Sequence, residues 1–108
     1  MEPAVQALVA AWLTGDHCLF EAATEQPEHA WGAVLALLER DLSPEDSALL
    51  AAGPLEILLG SNGAAFIERV EERGASDSRF NHLLGGVWQG GMTEQVWQRV
   101  QAVRNNVW

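Results

Sequence analysis

Pro27-Glu28-His29-Ala30-Trp31-Gly32-Ala33-Val34-Leu35-Ala36-Leu37-Leu38 is the stretch on which the fold class turns. Its apolar members Ala30, Trp31, Val34, Leu35, Leu37 and Leu38 return at three- and four-residue intervals, the period of a helix face and not of a strand. Pro27 suits the first helical position, where a missing N–H breaks no intrahelical bond. Leu42 extends the stripe.

The same period runs outward in both directions. Upstream, Val5, Leu8, Val9, Trp12 and Leu13 form one stripe that ends at Gly15, and Asp16–Gln26 reads as a short helical turn carrying Leu19, Phe20, Ala22 and Ala23. Downstream, Ser43-Pro44-Glu45-Asp46 supplies a cap, a proline at the first position and acids that complement the helix dipole. That helix is expected to stop at Gly53, and Pro54 to restart a short one, Leu55–Leu59, closed by Gly60-Ser61-Asn62-Gly63. Phe66, Ile67 and Val70 mark the next helix, with Gly74 as its left-handed stop. Ser76-Asp77 caps a helix striped by Phe80, Leu83, Leu84, Val87 and Trp88, with Gly85-Gly86 inside it as a sign of close approach or a kink. Gly90-Gly91 breaks the chain, and Thr93 caps a last helix carrying Val96, Trp97, Val100 and Val103. No segment sustains a period of two. The expectation is an all-α domain over residues 1–108, either a compact antiparallel helical bundle or a short helical-repeat array of about six helices. The repeat alternative rests on Glu28-x-x-Trp31-x-x-Val34-x-Ala36 matching Glu94-x-x-Trp97-x-x-Val100-x-Ala102, with Gly63-x-x-Phe66-x-x-x-Val70 between them.

Gly53-Pro54-Leu55-Glu56, Phe66-Ile67-Glu68-Arg69-Val70-Glu71, Asp77-x-x-Phe80 and Leu84-Gly85-Gly86-Val87-Trp88 resemble a family of short bacterial proteins known only as a domain of unknown function. The resemblance covers Leu50–Trp97 well, and Trp12 and Pro27–Trp31 more loosely. It implies a small helical domain of bacterial origin and brings no activity, substrate or cofactor with it.

Charge narrows the function classes. Six arginines and no lysine stand against fifteen acids, giving a net charge of −9 in 108 residues. The first sixty residues hold ten of the acids and Arg40 alone among cations, whereas the rest of the chain is balanced. A nucleic-acid module needs a basic footprint to neutralise phosphates, and an anionic membrane repels this field. The chain lacks the basic start of a signal peptide, no apolar run of about 18 residues is apparent, and the single Cys18 forms no internal disulfide, so the cytoplasm is the expected address.

Catalytic patterns are incomplete. His17, Glu21, Glu25 and His29 run at four-residue intervals, but Pro27 disfavours helical backbone at Gln26 and breaks the register a helical metal site requires. No metal and no cofactor is expected. Cys18 beside His17 is read as a buried thiol rather than a nucleophile, His82 has no partner that would make it a base, and the glycine pairs form no phosphate-binding loop. Trp12, Trp31, Trp88 and Trp97 fall on apolar stripes and are expected in the core, with Trp88 the first choice for a rim anchor because the Gln89–Met92 loop follows it. The leading reading is a non-enzymatic protein–protein interaction module that meets a basic protein through Asp16, Glu21, Glu25 and Glu28, with Trp88 as an apolar anchor. Two alternatives stand beside it: an immunity or inhibitor protein against a basic toxin or nuclease, and a small metal-dependent enzyme using His17, Glu21 and His29.

Overall fold

Seven α-helices and one π-helical turn make up the computed structural model, which describes residues 2–108: α1 (Pro3–Leu13), α2 (Cys18–Glu25), α3 (Pro27–Leu38), α4 (Pro44–Leu50), the turn Ala51–Leu55, α5 (Glu56–Ser76), α6 (Ser78–Leu84) and α7 (Glu94–Val103). No strand occurs among the described residues. Three starts follow the sequence signals: Ser43 Oγ accepts from the Asp46 N–H, Asp77 from the N–H groups of Arg79 and Phe80, and Thr93 Oγ1 from the Val96 N–H.

One buried cluster draws side chains from every helix and centres on Phe66, Phe80, Leu19, Leu37, Leu58 and Val70. α3 lies against α1 and α2, while α5 packs on α2, α6 and α7, so the stripes on α3 and α5 meet the rest of the fold from two sides. The three self-similar strings occupy α3, α5 and α7, and α5 stands between the other two. The molecule measures 33 × 26 × 21 Å, the proportions of a globule around one core and not of an elongated stack.

Several local expectations change. Gly53-Pro54 does not stop a helix: the chain widens into a π turn and continues, giving one helical run from Pro44 to Ser76. In an α-helix the Pro54 ring would collide with the carbonyl four residues earlier, and the wider turn relieves that clash. Gly53 serves contact instead, since a Cβ there would lie 2.6 Å from the Phe20 ring. Gly60–Gly63 does interrupt the helix, as expected, but as a kink and not a loop: Asn62 leaves helical geometry at φ −135°, with its amide donating to Ala23 O, and α5 continues beyond it in a second segment. The merged run is, by length and composition, apolar enough to cross a membrane, contrary to the expectation above. However, 56% of its most apolar window is buried inside the fold, as in a core helix of a globule. Gly74 is no stop either; it is a helical contact point beneath Val103 and Leu84.

At the other end, Gly85-Gly86 terminates α6 rather than lying inside it. Neither residue has a positive φ, so neither is needed for a left-handed turn. Both make room for the C-terminal Trp108, whose indole would stand 2.7 Å from a Cβ at either position. Trp108 donates its backbone N–H to Gly85 O and its indole N–H to His82 O. Asn81 completes this corner. Buried to 5% exposure, its amide donates to Gly74 O and Val103 O while its oxygen accepts from the Asn105 N–H, so the ends of α5 and α7 and the C-terminal segment share one satisfied polar hub.

The tryptophans divide. Trp12 is buried, Trp31 and Trp97 are half-buried at the core's edge, and Trp88 is 57% exposed. Trp31 still packs on Phe66 and Phe80, at ring separations of 5.8 and 5.4 Å. Leu13, the last residue of its stripe, faces solvent.

Candidate functional site

Asp16, Glu21, Glu25 and Glu28 are all exposed, but they do not form one uniform row. Glu21 and Glu25, one turn apart on α2, border a depression of about 140 Å³ together with Cys18 and Gln26. Asp16 precedes α2 and is engaged locally: its Oδ1 accepts from the Cys18 N–H at 3.0 Å and from the Cys18 thiol at 3.1 Å. Those two bonds hold the Asp16 carboxyl below its usual range. Glu28 turns across to α5, where Arg69 grips it with two bonds of 2.6 and 2.8 Å and lowers its pKa. Its charge is thereby compensated, which separates it from Glu21 and Glu25.

Cys18 is half-buried and not enclosed as expected. Its thiol donates to Asp16, and that bond, followed by burial and the Asp16 charge, pushes its pKa up. A thiol held protonated is a poor nucleophile. His17 does not partner it; its ring meets the edge of Phe20. His29 bonds to Glu2 at 3.1 Å and approaches Gln26, so His17 and His29 are drawn to separate partners away from Glu21 and Glu25. Among the described residues no three His, Cys, Asp or Glu side chains gather as a ligand set for a metal ion.

Trp88 lies on the connection between α6 and α7, with its backbone N–H donated to Glu56 Oε1. The Gln89–Met92 segment that follows is drawn in, with Met92 buried and the Gln89 amide reaching Met92 O and Glu94. The indole therefore stands out from the surface on a tethered loop.

A second region was not legible as a site from the sequence. Where the end of α3 and the α3–α4 loop meet α6, a cleft of about 350 Å³ is lined by Arg40, Asp41, Arg79 and His82 over Leu38 and Leu83. Arg79 bridges the two elements by donating to Leu38 O at 3.1 Å. Four of the other arginines are committed elsewhere: Arg69 to Glu28, Arg73 to Asp77, Arg99 to Glu71, and Arg104 to carbonyls at the end of α6 and over the Trp97 ring. Among the described residues the Arg40 guanidinium has no ion-pair partner. Its isolation as the lone cation of the first sixty residues was the available signal.

These features define a small all-helical domain with an acidic surface on α2 and a locally cationic cleft beside α6. Over residues 3–107 the chain matches the model of a family described as "Family of unknown function (DUF6869)", and it belongs to that family. No curated protein and no solved structure matches it.

Proposed function

We propose that the protein is a non-catalytic interaction module of the cytoplasm whose acidic N-terminal surface engages a basic protein. The observation that carries this reading is the uneven compensation of charge. Of the carboxylates in the first sixty residues, Glu28 is matched by Arg69 and Glu2 meets His29, while Glu21, Glu25, Glu39, Asp41, Glu45 and Asp46 are exposed without a cationic partner among the described residues. A field of one sign accelerates encounter with a partner of the other sign and repels wrong partners. The tethered, exposed Trp88 supplies an apolar anchor of the type enriched at binding hot spots. An inhibitor of a basic toxin or nuclease is one form such a module takes. The protonated Cys18 thiol and the scattered His17 and His29 favour binding over catalysis.

Association kinetics with a partner captured from the source cell test the reading. The rate should fall steeply as added salt shortens the Debye length from about 10 Å at 0.1 M to about 3 Å at 1 M. Glu21→Lys with Glu25→Lys should slow association further while leaving the melting temperature in place. An unchanged rate in that double variant would reduce the carboxylates to a solubility surface.

A further inference from the structure

The α3–α6 cleft places cationic donors over an apolar floor in a protein whose net charge has the opposite sign. We propose that this cleft binds a small monoanionic carboxylate carried on an aliphatic body. Its volume, about 350 Å³, falls within the range of small-molecule pockets, roughly 300–1,000 Å³. Leu42, half-buried at the cleft, offers the ligand an apolar contact, while Leu38 and Leu83 are buried beneath it. Arg79 is pre-positioned by its bond to Leu38 O, which uses one N–H and leaves the rest of the fork for an oxyanion. Arg40 makes no ion pair among the described residues, although Asp41 lines the same cleft, and guanidinium geometry matches a carboxylate through two parallel bonds.

His82 is held at the rim from behind. Trp108 donates its indole N–H to His82 O at 2.8 Å, and the two rings stand 5.2 Å apart. The imidazole itself makes no hydrogen bond within the described residues, so its nitrogens remain for a ligand. The Gly85-Gly86 seat under Trp108 thus orders one wall of the cleft.

Charge counts select the ligand class. The two guanidiniums and the Asp41 carboxylate of the lining sum to one positive charge in excess, which matches a monoanion. Glu39, Glu45 and Asp46 are exposed on the same stretch of chain and repel polyanions and phosphate dianions. An apolar body adds contact with Leu42 to a charge pair that solvent screens.

Amide chemical-shift mapping of the full chain tests this with three probes: N-acetylleucine, its uncharged amide, and inorganic phosphate. N-acetylleucine should give saturable shifts confined to residues 38–47 and 78–83, and the amide and phosphate should bind at least about tenfold more weakly, as loss of charge-assisted hydrogen bonds or of apolar contact requires. Arg40→Gln, a change at an exposed residue, should weaken N-acetylleucine by a similar factor with an unchanged melting temperature. Arg79→Gln should weaken N-acetylleucine likewise, and N-acetylleucine shifts that survive both variants would overturn the proposal. Absence of saturable shifts, shifts elsewhere, or equal binding of the uncharged amide would also overturn it. Stronger binding of phosphate would overturn the carboxylate assignment.

Discussion

The outer side of α2 and the cleft beside α6 differ in charge, in shape and in how their side chains are held. Along α2, Glu21 and Glu25 border a depression of about 140 Å³, and just before the helix Asp16 folds back on Cys18. In the cleft, Arg79 is fixed to Leu38 O and His82 is backed by Trp108. A loosely held field of one sign suits steering of a macromolecule, whereas fixed donors over an apolar floor suit a defined small ligand. A net charge of −9 describes the first region and conceals the second.

Both surfaces rest on one core, so the most severe perturbation should abolish the difference between them. Phe66 is 2% exposed at the contact of α3 and α5, and Phe66→Ala should cost about 3–5 kcal/mol. Urea denaturation should show a single transition moved to lower midpoint; an unchanged midpoint would place the core elsewhere. Trp31→Ala, at the half-buried edge of the same contact, should cost less, about 2 kcal/mol.

A second variant should separate the two regions. Gly86→Ala sets a Cβ 2.7 Å from the Trp108 indole and 3.0 Å from Ala51 Cβ, an overpacking that costs about 1–3 kcal/mol. The relief available is movement of Trp108, so indole fluorescence and the amides near His82 should change while those of α2 stay in place. Equal changes on α2 would show that the C-terminal segment supports the whole fold and not the cleft wall alone.

Charge reversal at Glu21 and Glu25 should shift stability by no more than about 0.5 kcal/mol each, as at other exposed sites. Glu28→Lys, by contrast, also removes the two-bond pairing with Arg69 and sets like charges together, so thermal melts should rank it below the α2 reversals. If the three are equal, the Glu28–Arg69 pair contributes nothing to the fold.

The smallest effect concerns pH. Hydrogen bonds from Arg69 and Arg99 hold Glu28 and Glu71 below the ordinary glutamate range. Their stabilisation is present above that range and is lost as the pH falls through the lower folded-state values. Both pairs are solvent-exposed, so the urea midpoint should decline only modestly on acidification into the carboxylate range. A midpoint that rises on acidification would contradict the pairing.

Helical class, most helix starts and the bulk of the core were legible because apolar period and capping residues are local properties. The ends were not. Gly53 and Gly74 are written in the chain as punctuation, yet each faces a side chain far off in sequence, Phe20 or Val103; Gly85-Gly86 did signal a close approach, but not that its partner is Trp108. Local patterns do not reveal which ring will need that space. Asn81 was missed for the same reason, since its three partners, Gly74, Val103 and Asn105, are set by packing. Among site residues, the exposure of the acids followed from their type, but the diversion of Glu28 to Arg69 and of Asp16 to Cys18 did not. The cleft joins Arg40 to Arg79 and His82 across some forty residues, and no spacing rule connects them.

The central claim is that one small domain carries two surfaces of opposite electrostatic character, and a lysine-rich peptide tests it most directly. Titrated at low salt, the peptide should shift the amides of Asp16–Glu25, leave those of residues 38–41 and 78–83 unmoved, and lose its effect as salt is raised. N-acetylleucine should give the complementary map in the same sample. Peptide-induced shifts centred on Arg40, Arg79 and His82, or an identical map from both probes, would contradict the account.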